Sequence, residues 1–305
     1  MSRRDAIYTA GYRKLDDAPR RAHPALAIAR TALALAWRRR AVKLALMPAA
    51  SAFMVCVSVL VGLVVLKRAT EAIENPMLSQ MTAQIVGDAR DVLGGFVQFS
   101  FYGAAFLLAM MGGALIADDL KANALDLYFA RPLRRADYLL GKGLAALCAP
   151  LATLLLPTIL LWVITAGIAD EALRGPLLSL LLPALVPALL ATVALTGLML
   201  GVSALSERGA SASVAFIGAL LAADALGAGL SLAGYPWAGY VAPLLDLRTI
   251  GEAIEPSGAG LVAQALKGTA RMTNDNAWLS ALALLAMGLG GGYIAFRRVA
   301  REVRG

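Results

Sequence analysis

The sequence holds one histidine, His23, and two cysteines, Cys56 and Cys148, in 305 residues. With a single imidazole, a Ser-His-Asp or Cys-His arrangement has almost nothing to be built from, so nucleophile–base chemistry is nearly excluded. Both cysteines fall inside apolar runs, where a thiol reads as a small packing residue, not as half of a disulfide or a metal ligand. His23 stands before Pro24 in a basic stretch and reads as a solvated or helix-starting residue. Charge is scarce as well: Asp, Glu, Lys and Arg make up 16% of the chain, against about 25% in a soluble domain. A nucleotide-binding loop is also missing from the sequence. The nearest match, Gly141-Lys142-Gly143, has Ala136 where the phosphate turn needs glycine, and no hydroxyl residue after the lysine. The chain reads as a non-enzyme that holds no cofactor or metal of its own.

What is present is apolar sequence, 59% of the residues. One water-soluble core cannot absorb so much, and lipid is the simplest solvent for it. Six stretches reach the about 20 apolar residues that cross a bilayer: residues 44–66, 96–117, 143–168, 177–205, 210–233 and 277–296. They are continuously apolar, without the alternation of a barrel strand, and a lipid-exposed backbone must satisfy its own hydrogen bonds, so they are expected to be helices. Pro183 and Pro187 interrupt the fourth and predict an interfacial or kinked beginning. The expected class is an all-α polytopic membrane protein. Residues 1–43 form a basic tail and pre-span helix, 44–296 the six-span domain and 297–305 a basic tail. Nothing in the first 43 residues resembles a short cleaved signal.

The net charge of +8 is distributed around spans, not gathered into a nucleic-acid patch. If both termini share one side, that side carries 21 Lys and Arg and the other carries seven. The positive-inside rule then puts both ends in the cytoplasm. From Pro24 to Lys43 the chain reads as a helix, with Leu26, Leu33, Trp37 and Leu44 as an imperfect stripe. Trp37 followed by Arg38, Arg39 and Arg40 suits a headgroup interface, or ordinary positive-inside flanking. The stretch 67–95 is expected outside and partly helical. The longest outer segment, 234–276, offers interfacial Tyr235, Trp237 and Tyr240, and a stretch at 243–254 that could dip back into the membrane edge.

Two features inside the spans stand out. Asp224 is the one ionisable residue deep in a span, and either faces a cavity or polar partner or marks a break near Gly227 and Gly229. Gly197-x-x-x-Gly201 and Gly288-x-x-x-Gly292 suit close helix packing, first of all within one subunit.

The informative segment is the cytoplasmic connection 118–142. Asp118 and Asp119 stand where a helix-starting carboxylate belongs. Leu120, Ala124, Leu127 and Tyr128 fall on one helical face, which Leu125 and Phe129 widen. Pro132 should end the helix near Arg131. A helix over 119–130 with surplus apolar surface needs lipid or a protein partner.

In this segment the sequence resembles the permease subunits of type-2 ABC exporters. The resemblance rests on an acidic pair closing the second span, a Leu-containing turn, Ala-Arg-Pro-Leu-Arg-Arg, and Tyr-Leu-Leu-Gly-Lys entering the third span. The family's usual wording is Gly-Thr-Leu-Glu, a Leu-rich turn and Arg-Pro-x-x-Arg. Here Asn123, Ala124, Leu125 and Asp126 stand at the first four positions, so Gly and Thr are lost. Arg131, Pro132 and Arg135 match directly. The resemblance covers the whole chain in layout and about 25 residues in wording. It implies a second permease copy or paralogue as partner, and a separate cytoplasmic ABC ATPase that uses ATP and Mg. The turn from Asp119 to Arg135 would then couple ATPase to membrane, and the first, second and fifth spans would line the path. Export of an unidentified cargo follows from the resemblance, and the apolar spans favour an amphipathic one; an ion-coupled secondary transporter and a non-transporting membrane anchor are the alternatives. The Ala-, Leu- and Arg-rich wording suggests a bacterial plasma (inner) membrane.

The orientation has a direct test. In a background without Cys56 and Cys148, Ser257→Cys is expected to react with an impermeant thiol reagent on intact cells and Ser2→Cys is not. The reverse pattern contradicts the assigned sidedness.

Overall fold

Apolar runs of this length have one low-cost backbone solution, and the computed structural model adopts it throughout. It describes residues 23–71, 78–130, 133–169, 171–254 and 274–302. Among these there are helices and turns and no strand. Helix α1 (Pro24–Arg38) precedes α2 (Arg40–Glu71), α3 (Leu78–Gly112), α4 (Ala114–Lys121), α5 (Ala124–Phe129) and α6 (Arg135–Pro150). Then come α7 (Leu156–Ile168), α8 (Glu171–Ser179), α9 (Leu181–Leu205), α10 (Gly209–Leu232), α11 (Pro243–Ile254) and α12 (Ala277–Glu302). Six helical stretches are long and apolar enough to cross a membrane: Arg40–Val65, Asp88–Lys121, Arg135–Ile168, Arg174–Leu205, Gly209–Leu232 and Ala277–Glu302.

The spans differ in how they are covered. The second has 61% of its apolar window buried and the fourth 44%, whereas the first has 17% and the fifth 22%. The second and fourth are therefore central, and the first and fifth turn most of their surface outward. Helix α1 lies against α6 because Gly141 leaves room for it: a Cβ there would sit 2.7 Å from Ile28 Cβ and 2.8 Å from Ala25 O. The expected continuous helix to Lys43 instead breaks at Arg39, whose ψ of 123° is extended. Of the stripe, Leu26, Trp37 and Leu44 are exposed, while Leu33 packs on the core beside Ile28, Ala32 and Ala36. Small side chains win the inner face because the two helices approach closely.

Breaks in the helices follow from proline and glycine. The third span widens at Leu151–Leu155 into a π turn next to Pro150 and Pro157, which spreads the loss of backbone donors. The fourth breaks at Leu180, between α8 and α9, as the prolines predict. Pro183 then falls in the first turn of α9, where no backbone donor is needed. The second span bends at Gly113. There the buried Ser203 accepts from the N–H groups of Ile116 and Ala117 at 3.1 and 3.2 Å and donates to Gly113 O at 2.9 Å. A single hydroxyl thus supplies partners for the backbone across the bend.

The most extensive interface joins α9 and α12. Both glycine pairs contribute, with one change of register: Gly197 meets Gly288, and Gly201 meets Gly291 rather than Gly292. A Cβ on Gly201 would lie 2.8 Å from Gly291 Cα, and one on Gly197 would overlap Gly288 O. Three residues, not four, separate the contacting glycines on α12. Close packing within the subunit is their use.

Replacing Gly197 with leucine should force the helices apart and cost about 3 kcal/mol, the upper end of ordinary overpacking. Gly292→Ala, which meets nothing within 4 Å, should change stability by less than about 0.5 kcal/mol. Thermal unfolding of the purified chain in detergent reads both.

Candidate functional site

Between the second and third spans the chain turns within a few residues, and each residue of the turn has a place. Helix α4 ends at Lys121, with Ala122 N–H donating to Asp118 O and Asn123 N–H to Leu120 O. Asn123 takes φ of +49°, a left-handed conformation that asparagine tolerates better than most residues. The expected single helix over 119–130 is therefore two short ones, since a residue at positive φ ends the first. Asp118 and Asp119 fall in the last turn of α4 instead of starting a helix. Carboxylates there oppose the helix dipole, and both are compensated by groups from elsewhere. Asp118 Oδ1 accepts from Gly209 N at 3.2 Å, the first amide of α10.

Asp119 anchors the turn. Its Oδ2 lies 2.7 Å from Lys142 Nζ and accepts the Tyr138 hydroxyl at 2.7 Å. Lys142 is 6% exposed and Tyr138 fully buried. An ammonium taken this far from water is tolerable only with a charged partner and further hydrogen bonds. The Lys142 ammonium also sits 5.5 Å from the Tyr138 ring centre, within reach of a cation–π attraction. Tyr138 and Lys142 are four residues apart on α6, hence on one face. Against the same tyrosine pack Tyr128 and Phe129 of α5, with ring centres 5.5 and 6.0 Å away. Burial, and after it the negative charge of Asp119, pushes the Tyr128 phenol above its ordinary value.

Of the apolar anchors expected to face a partner, Leu125 is 4% exposed and sits in the chain's own core. Leu120, Tyr128 and Phe129 are half-buried against that core. They hold the turn down. Asp126 and Leu127 lie in α5, but their side chains fall outside the described residues, as do Arg131 and Pro132 entirely. Arg135 opens α6 and is half-buried. The exposed rim of the turn is Lys121, Ala122, Asn123, Ala130 and Arg134. Sequence reasoning missed Tyr138 and Lys142. A lysine and a tyrosine one turn apart at the start of an apolar span were the available signal.

Asp224 is 9% exposed and lies in an unbroken α10, so the alternative of a helix break there is not what forms. It accepts the Tyr102 hydroxyl at 2.5 Å and Leu244 N at 2.9 Å. Leu244 is the second residue of α11, so Asp224 supplies the partner that an amide at a helix start lacks. Trp37, Arg38 and Arg40 are exposed beside the α1–α2 break, and Arg39, also exposed, donates to Met110 O at 3.5 Å. No protein-family model matches this chain, and no curated protein matches it.

The Asp119–Lys142 pair yields a stability prediction. Lys142→Met alone should cost about 3 kcal/mol, because it leaves a largely buried carboxylate without its cation. The double variant Lys142→Met with Asp119→Leu should recover most of that loss. Denaturant unfolding followed by circular dichroism measures both; a single variant within about 0.5 kcal/mol of wild type contradicts the pairing.

Proposed function

We propose that this chain is the permease subunit of an ATP-driven exporter of the type-2 ABC kind, working with a separately encoded ATPase. The observation that carries the reading is the turn between the second and third spans. It is short, it bears the acidic pair and the Arg-Pro-x-x-Arg wording, and Asp119, Tyr138 and Lys142 clamp its root. A push on an exposed rim fastened in this way passes to two membrane helices with little lost in side-chain slack. Lys121, Asn123 and Arg134 make that rim polar, which suits a soluble ATPase cleft better than a lipid tail. Leu125, Tyr128 and Phe129 then set the shape of the coupling turn, in place of the docking role first expected of them.

Two further elements of the reading have support of their own. The poorly covered first and fifth spans leave surface for a second permease copy. The basic flanks of α1 and α12 suit the cytoplasmic face of a bacterial inner membrane. The cargo class follows only from the apolar character of the spans, which favours an amphipathic molecule.

The test is co-purification. Tagged chain drawn from native membranes should bring down an ABC ATPase and support ATP hydrolysis. Lys121→Glu combined with Ala130→Glu should leave insertion and folding intact and reduce recovered ATPase by more than about tenfold, as charges placed in a desolvated contact do. A wild-type chain that recovers no ATPase, or a rim variant that recovers it undiminished, contradicts the reading.

A further inference from the structure

On the face opposite the α5 turn lies a second buried polar cluster, separate from the coupling turn. Asp246 of α11 is 1% exposed. Its Oδ1 accepts from Asn274 Nδ2 at 2.7 Å. Its Oδ2 has no hydrogen-bond partner among the described residues. Asn274 also donates through Nδ2 to Ser280 Oγ at 3.1 Å, and through its backbone N–H to Thr249 Oγ1 at 2.8 Å. The cluster therefore ties α11 to the start of α12. Two residues before Asp246, Leu244 N–H is held by Asp224, so a second carboxyl faces the same site.

We propose that Asp246 is a proton-binding site, and that the bound proton keeps α11 fastened to the start of α12. Two carboxyls in one apolar site are costly when both are ionised, and unequal hydrogen bonding decides which one takes the proton. Asp224 receives two donors, from Tyr102 and Leu244. On Asp246, Asn274 donates to Oδ1 and Ser280 acts in the same direction, while Oδ2 has no partner among the described residues and is the position for a hydrogen. Protonation adds one H⁺ from water to that carboxylate and needs no other reactant.

Among the described residues, charges on the surrounding elements do not replace the proton. α9 carries no charged residue, and α12 carries none before Arg297 at its far end. Arg248 and Glu252 of α11 pair with each other at 3.5 Å. With Arg90 and Asp91 of α3 they line a separate cavity of about 130 Å³. Tyr240 is the titratable group of the preceding turn, and Asp275 is exposed. Burial first, and Asp224's charge in the same direction, push Asp246 from the ordinary 3.8 up to about 7, with Ser280 and Asn274 pulling back.

A carboxyl raised on folding holds its proton in the folded chain after the unfolded chain has lost it. Stability therefore falls as pH rises from the ordinary carboxyl value and levels off above about 7. The experiment uses the purified full chain in detergent, following the infrared band of a protonated carboxyl and thermal unfolding across that window. Wild type should lose the band with a midpoint near 7, the pH above which its fall in thermal stability levels off. Asp246→Asn should lack the band and show a flat profile. Asp224→Asn, which removes the facing charge, should move the midpoint down by about one pH unit, and this tests the site even if Asp246→Asn does not fold. A wild type without the band, a band that survives in Asp246→Asn, or an unmoved midpoint in Asp224→Asn overturns the proposal. So does a midpoint that shifts when sodium replaces choline at fixed ionic strength, which would give the site to a metal cation.

Discussion

A helix end or bend inside an apolar medium has no water to turn to, and each amide freed there must find a partner within the chain. This constraint explains where the few polar side chains of this protein are placed. Ser203 supplies the bend at Gly113. Asp118 accepts from the first amide of α10, Asp224 from the second of α11, and Asn276 Oδ1 from Trp278 N–H at the start of α12. In the first three cases the side chain comes from a different helix than the backbone it satisfies. Each such bond also fixes the position of one helix relative to another, so the helix termini organise the bundle.

The acidic pair closing the second span gathers these demands in one place. Asp118 reaches the fifth span and Asp119 the third, so the ends of three spans meet at two adjacent residues. Tyr138 then links this joint to α5 through its contacts with Tyr128 and Phe129. The opposite face is built differently. Asp224, Asp246 and Asn274 form a cluster in which Asp246 Oδ2 has no hydrogen-bond partner among the described residues, whereas Asp119 holds both an ammonium and a hydroxyl.

The six spans were legible in the sequence because length and hydropathy decide them, and lipid leaves the backbone no alternative. The kink near Pro183 and the inward orientation of Asp224 were legible for similar reasons: each rests on a strong local rule. The break at Asn123 was not, since asparagine tolerates positive φ without requiring it. Leu33 of the α1 stripe packs inward while Leu26, Trp37 and Leu44 face out, because apolar periodicity cannot tell a lipid-facing side from a core-facing one when both are apolar. Leu125 turned inward for the same reason. Tyr138 and Lys142 escaped because their role is defined by Asp119, 19 and 23 residues away in sequence, and no local pattern announces such a pairing. Among the glycines, the meeting of Gly201 with Gly291 depends on the crossing of α9 over α12, which spacing alone does not set.

The joint at Asp118 and Asp119 has two arms, and amide hydrogen exchange resolves them. Asp119→Asn should raise exchange across α5 and the first turns of α6 while leaving the start of α10 protected. Asp118→Ala should open the start of α10 and spare α5. Equal effects of both variants across all three regions, or no change in either, would contradict a joint in which each carboxylate fastens a different helix.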